Sequence, residues 1–148
     1  MRVFVAGGTG AIGGYAVPAL VAAGHEVSAL ARTPGKAKLL QDQGASPVEV
    51  SLFDTAALGD AFSGHDAVVN LATAIPPTSK FMSSRAWAAN QRIRTEGSAA
   101  VVDAALAAGV GRVVQESVSM LYADGGEGSV NDRGRALGAY ALVGRPRP

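Results

Sequence analysis

The chain has no cysteine, which excludes disulfides, thiolate metal sites and thiol catalysis. Histidine occurs only at His25 and His65, too few for a histidine-based metal site without several carboxylates, so no metal is expected. Charge is sparse as well: 17% of residues are charged and the net charge is +1. That leaves no global field to draw in nucleic acid or an anionic membrane, and neither is expected as a partner. No run of about 18 apolar residues occurs, so no membrane span is expected. The opening MRVFVAGG reaches glycine too soon for a signal peptide. The expectation is a soluble cytoplasmic protein.

Aromatic residues are scarce too, at 5% against 48% hydrophobic overall. The apolar content is therefore mostly Ala, Val and Leu, which suits parallel strands buried on both faces beneath Ala-rich helices. A chain of 148 residues is one domain, burying roughly 70% of the surface its unfolded form exposes.

Along the chain a unit recurs: helix, glycine, a few residues, apolar strand. It reads AAGHEVSALA, then QGASPVEV, then AAGVGRVVQES. Strands are predicted at residues 2–6, 25–31, 47–52, 66–72 and 112–117. The first helix is predicted through Ile12, Ala16, Ala19, Leu20 and Ala23, with Gly24 as its stop and Pro18 as an internal kink. Thr33-Pro34 supplies a cap and first residue for a second helix ending near Gln43. A short helix follows Asp54. A long one runs from about Ser83 to Ala108, turning Ile93, Gly97, Val101, Ala104 and Ala108 to the sheet. Alternating elements of this kind mean right-handed βαβ crossovers. The predicted fold is a doubly wound Rossmann-type α/β sheet of five parallel strands in order 3-2-1-4-5. Its ligand crevice opens at the carboxyl ends of strands 1 and 4.

GGTGAIGG, residues 7–14, lies between a strand and a helix, the context a dinucleotide turn requires. Gly7 permits the tight exit, Gly10 the approach of a pyrophosphate, and Gly13 close helix–strand packing. Thr9, Ala11 and Ile12 complete the turn, and the helix start offers amide donors and a positive dipole end. The cofactor expected is a nicotinamide dinucleotide. About 20 residues further on, an NAD binder places a carboxylate on the ribose 2′-hydroxyl. Here Ala31-Arg32-Thr33 stands, with Lys36 nearby, which favours the 2′-phosphate of NADP over NAD. The alternative for Arg32 is a side chain snorkelling over the sheet edge.

These residues resemble the short-chain dehydrogenase/reductase superfamily in its extended or atypical branch, the NAD-dependent epimerase/dehydratase-like proteins. The likeness spans residues 1–123 and rests on GGTGAIGG, Arg32, SLFD, VVNLAT, GSAAVVDAALAAGV and RVVQESVSMLY. It implies that Phe53 and Asp54 sit beside the adenine and that Leu71, Ala72 and Thr73 line the way to the nicotinamide ribose. A helix cap is the alternative for Asp54, and a turn hydroxyl for Thr73. It also implies an unidentified small-molecule substrate and a homodimer through the long helix, residues 83–108.

Redox members use a Tyr-x-x-x-Lys pair and a nearby Ser or Thr. The lysine lowers the tyrosine pKa, making it a general acid/base, and the hydroxyl orients the substrate oxygen. This chain departs from that pattern. No lysine follows Lys80, and the residue four after Tyr140 is Gly144. Val118 stands where the hydroxyl belongs, four before Tyr122, flanked by Ser117 and Ser119; these two serines and Tyr122 are the catalytic candidates, with Tyr122 reading first as a residue packed beneath a loop. The family's helix-4 Asn is Arg94, while Asn90, one turn earlier, reads as a surface residue. Glu116 reads as a structural partner of Arg112 or Arg94, with a cofactor-facing role as the alternative.

From Asp124 the composition shifts: residues 124–148 hold six glycines and four arginines. This segment reads as a poorly ordered tail, or as a sign that the chain is truncated or frame-altered near Ser129. Three functional readings follow: an oxidoreductase or epimerase-like enzyme, a non-catalytic NADP sensor, and a remnant of little activity.

Overall fold

The computed structural model describes residues 1–117. They form a parallel five-stranded sheet in order β3-β2-β1-β4-β5, as the recurring unit predicts. The strands are β1 (Arg2–Ala6), β2 (Glu26–Leu30), β3 (Ser46–Val48), β4 (Ala67–Asn70) and β5 (Arg112–Gln115). Helices α1 (Gly13–Ala22), α2 (Pro34–Asp42) and α3 (Thr55–Phe62) make the first crossovers.

The central strand shows why the sheet sits where it does. Its side chains alternate faces, so Val3 and Val5 join Val17 and Leu40 beneath α1 and α2. Phe4 and Ala6 join Leu58, Phe62, Val101 and Ala104 beneath α3 and the last helix. Phe4 and Phe62 meet edge to face at 4.8 Å between centroids, an arrangement that adds to their burial.

Local signals set the helix starts. Thr33 Oγ1 accepts from the Lys36 amide, with Pro34 opening α2. Asp54 Oδ1 accepts from the Ala57 amide at 3.1 Å and caps α3. Both caps remove an orphan donor from the first turn.

The long predicted helix is present but not uniform. It consists of α4 (Ser84–Arg92), a π segment (Ile93–Gly97) and α5 (Ser98–Ala107), continuous through right-handed helical residues at each joint. Gly97, Val101 and Ala104 are buried, and Ile93 and Ala108 pack against the core, as expected.

Three expectations need correction. The inner face of α1 is Gly13 and Val17, with Leu20 and Val21 beside them, whereas Ile12 precedes the helix and is exposed. Nearly every residue of this helix is small or apolar, so periodicity alone does not select a face. Pro18 lies within α1 and, as expected, the helix runs on past it to Ala22. Strand β3 is only three residues long, on the sheet edge, with Pro47 opposite Ala29; proline cannot donate to a ladder, which confines it to such edges. Strand β5 is not a buried strand, because all four of its residues are exposed.

Ser119, Tyr122, Tyr140 and the segment 124–148 lie outside the described residues. Among the described residues no helix is long and apolar enough to cross a membrane. No cluster of His, Asp and Glu among them suits a metal ion.

Candidate functional site

The site begins with backbone. Gly7 has φ +82°, a conformation that L side chains avoid. A β-carbon there would lie 2.5 Å from the Leu71 carbonyl carbon, so the exit of β1 presses directly on the exit of β4. At Gly13 a β-carbon would overlap the Gly7 carbonyl oxygen and lie 2.6 Å from Gly8 Cα. This contact seats α1 on the strand, the role assigned to Gly13. Gly10 differs: a β-carbon there meets only the Gly7 oxygen at 3.2 Å, leaving its outer side open for a ligand.

The start of α1 also differs from those of α2 and α3. Ile12 provides no side-chain cap. Gly10 donates to Gly7 and Gly14 donates to Gly10. The amides of Ala11, Ile12 and Gly13 have no acceptor among the described residues. Uncapped amides at the positive end of a helix form an anion site suited to a diphosphate.

A cavity runs from this turn across the carboxyl edge of the sheet. Gly7, Thr9 and Gly10 form one wall, while Leu71, Ala72 and Thr73 continue it beyond β4. Arg32 and Lys36 enter from the end of β2 and the first turn of α2. Ser51, Leu52, Phe53 and Ile93 close the far end. Among the described residues no carboxylate lines it.

Of the residues expected at the cofactor, Gly7, Thr9, Gly10, Arg32, Phe53, Leu71, Ala72 and Thr73 border this cavity. Ala11, Ile12 and Gly13 are not among its lining residues; Ala11 and Ile12 lead into α1 and Gly13 opens it. Asp54 does not border it either, since its carboxylate is engaged in capping α3. The hydroxyl facing the cavity at this end belongs to Ser51, which also accepts from the Phe53 amide at 3.2 Å. Leu30, Ser51, Leu52 and Ile93 escaped sequence reasoning. Ile93 was traceable as the member of the inward helix stripe nearest the strand ends.

Beyond β4 the site is built from side chains. Asn70 is fully buried; its amide donates to Gln115 Oε1 at 2.8 Å, and its oxygen accepts from the Ala72 amide. Asn90 is 5% exposed, and its oxygen accepts from the Ala74 amide at 3.0 Å. This corrects its reading as a surface residue. Asn90, Ile93 or Arg94, and Gly97 continue one inward stripe, and that spacing is the signal that marks it. Arg94 Nη2 donates to both carboxylate oxygens of Glu116, at 2.8 and 3.0 Å. Arg94, rather than Arg112, is thus the partner of Glu116. Both side chains are largely buried, 23% and 12% exposed, so each ion has the compensation that burial demands. Ser117 follows at the exit of β5 and is exposed.

A glycine turn of this geometry, at the switch point of a 3-2-1-4-5 parallel sheet, defines a Rossmann-type dinucleotide-binding domain. Sequence comparison is specific: residues 7–142 match the NAD(P)H-binding family. The chain belongs to that family. It is 39% identical over 134 residues to a 3-diazoavenalumate denitrifying reductase of Streptomyces. That match covers 85% of this chain and 40% of the relative. A UDP-glucose 4-epimerase of Bifidobacterium longum, solved with NAD+ and UDP, superposes with a TM-score of 0.73 at 17% identity. The superposition covers 94% of this chain and 43% of that one, and it establishes the shared fold. An NADPH-dependent quinone oxidoreductase of Escherichia coli, solved with NADPH, gives 0.58 at 25% identity, over 76% and 35% of the two chains. The chain thus spans well under half the length of such relatives.

Proposed function

We propose that the chain forms the cofactor-holding part of a cytoplasmic NADP-dependent oxidoreductase acting on a small carbonyl, alcohol or sugar-type substrate. One observation carries the choice of cofactor. Where β2 ends, the cavity wall holds Arg32 and Lys36 and, among the described residues, no carboxylate. A ribose 2′-phosphate brings about two negative charges to this position, and a guanidinium with an ammonium beside a helix start is the matching donor set. A 2′-hydroxyl finds no acceptor of the usual kind there. The names of the similar reductase and quinone oxidoreductase support the redox reading.

The residues that would hold the cofactor are the amides at the start of α1 and Gly10 for the diphosphate, Arg32 and Phe53 for the adenosine, and Leu71, Ala72 and Thr73 for the nicotinamide end. The cofactor supplies a hydride there. The chain's part is to orient it, with Ser117, Ser119 and Tyr122 as the hydroxyls nearest in sequence to that end.

Calorimetric titration with NADPH and NADH tests this reading. The native chain is expected to favour NADPH by about tenfold or more, the worth of a charge-assisted phosphate contact. Arg32→Asp is expected to abolish or invert that ratio. Equal affinities in the native chain, or a ratio that Arg32→Asp leaves unchanged, overturn the NADP assignment. Absence of binding to either cofactor at millimolar concentration overturns the whole reading.

A further inference from the structure

Phe53 borders the cavity, yet it is held from outside it. The Arg92 guanidinium carbon lies 4.1 Å from the centroid of the Phe53 ring. Arg92 in turn donates from Nε to Glu96 Oε2 at 2.8 Å. The pair spans the start of the π segment, with Arg92 closing α4 and Glu96 one residue short of Gly97. At Gly97 the helix backbone comes so close that a β-carbon would lie 2.8 Å from Leu52 Cδ2 and 3.6 Å from Phe53 Cε1. The Phe53 amide is held by Ser51 Oγ. The ring is therefore fixed at its backbone, along one edge and over one face, and what remains of it borders the cavity.

From this stack we infer that Arg92 is a positioning residue for the purine end of the cofactor, acting through Phe53 without touching the ligand. The inference rests on the cofactor reading above. A guanidinium over a phenyl face attracts its π electrons and restricts its rotation. A ring locked in this way offers a flat, preorganised surface to an adenine, which stacks best on a partner that need not be ordered on binding. Glu96 keeps the guanidinium on the ring instead of letting it swing into solvent. The arrangement also explains why a long, half-exposed arginine next to the π segment has a fixed direction.

The test separates the two ends of the cofactor. ADP-ribose carries the adenine without the nicotinamide, and reduced nicotinamide mononucleotide carries the reverse. Binding of each to the native 148-residue chain is compared with Arg92→Ala, Arg92→Lys, Glu96→Gln, Phe53→Leu and the double variant Arg92→Ala/Phe53→Leu. Arg92→Ala is expected to weaken ADP-ribose about two- to fivefold, the range for an exposed cation–ring contact, with the mononucleotide unchanged. Arg92→Lys restores part of the loss, and Glu96→Gln shows a smaller one. In the Phe53→Leu background the loss from Arg92→Ala is expected to vanish.

Unchanged ADP-ribose affinity in Arg92→Ala overturns the inference, as does an equal loss in both backgrounds, which signifies simple attraction between a cation and an anionic ligand. Should the native chain bind neither NADPH nor ADP-ribose, the cofactor reading falls and this one with it; binding of NADPH without ADP-ribose overturns this inference alone. Native binding that Arg92→Ala leaves intact defeats only the role of Arg92.

Discussion

The two ends of the carboxyl edge are made differently. At the exit of β1 the geometry is set by main chain: Gly7 against Leu71, and Gly13 against Gly7 and Gly8. At the exits of β4 and β5 it is set by side chains: Asn70 with Gln115, Asn90 with the Ala74 amide, and Arg94 with Glu116. The first construction requires the absence of side chains and tolerates little variation. The second requires polar partners that match each other, and many pairs of residue types serve. The contrast predicts that substitutions at the first end act through steric overlap, whereas those at the second act through groups left without partners.

The sharpest test of that contrast is at the glycines. Gly13→Val is expected to destabilise the chain by about 3 kcal/mol or more, since backbone rather than a movable side chain stands in the way. At Gly10 the one close contact of a β-carbon is the Gly7 oxygen at 3.2 Å, a much milder obstacle. Gly10→Val is expected to lose clearly less stability than Gly13→Val while losing NADPH affinity at least tenfold, roughly the effect of a side chain at the closest ligand approach. Thermal melts and titrations on both variants decide it. Matched stability losses at the two positions break the distinction.

The next effect is at Glu116. Removing one member of a buried ion pair costs roughly 3–5 kcal/mol when burial is complete. The residual exposure of Arg94 and Glu116 lowers the expectation for Glu116→Ala to about 2 kcal/mol. Glu116→Ala combined with Arg94→Met is expected to recover most of that loss, because no lone charge remains. A double variant as unstable as the single one shows that packing rather than charge accounts for the effect.

The smallest effect belongs to Asn90. Asn90→Ala strands the Ala74 amide and is expected to cost about 1–2 kcal/mol. Asn90→Asp keeps the acceptor and costs less. Limited proteolysis reads this locally: cleavage within residues 71–77 should rise in Asn90→Ala before global unfolding begins. Equal cleavage in both variants removes Asn90 as the anchor of that loop.

The same contrast explains what was legible in the sequence. Glycine at 7, 10 and 13 after an apolar run has few physical reasons to be there, so the turn and its ligand class could be read directly. The strand order followed from the repeated helix–glycine–strand unit. Thr33 and Asp54 announced two helix starts, but whether Asp54 caps or binds depended on backbone direction, which the residue type does not encode. For Glu116 the residue types offered Arg94 and Arg112 alike, and only the packed sheet selects Arg94; the Ala74 partner of Asn90 lies 16 residues away, beyond any local pattern. The inward face of α1 stayed hidden for another reason: a helix of Gly, Ala and Val has no polar side to betray the apolar one. Arg92 on Phe53 joins residues of two separate crossovers, and only the packed sheet brings them together.

The wide turn from Ile93 to Gly97 amounts to one residue more than an ordinary helix would need, absorbed without interrupting the rod. Excising a single amino acid there would leave a longer, more regular helix and restore every ordinary backbone bond. Because the surplus is taken up inside the widened turn, the segment upstream would keep nearly its present orientation relative to α5. The irregularity is therefore local, confined to the stretch whose backbone passes Leu52 and Phe53 at Gly97.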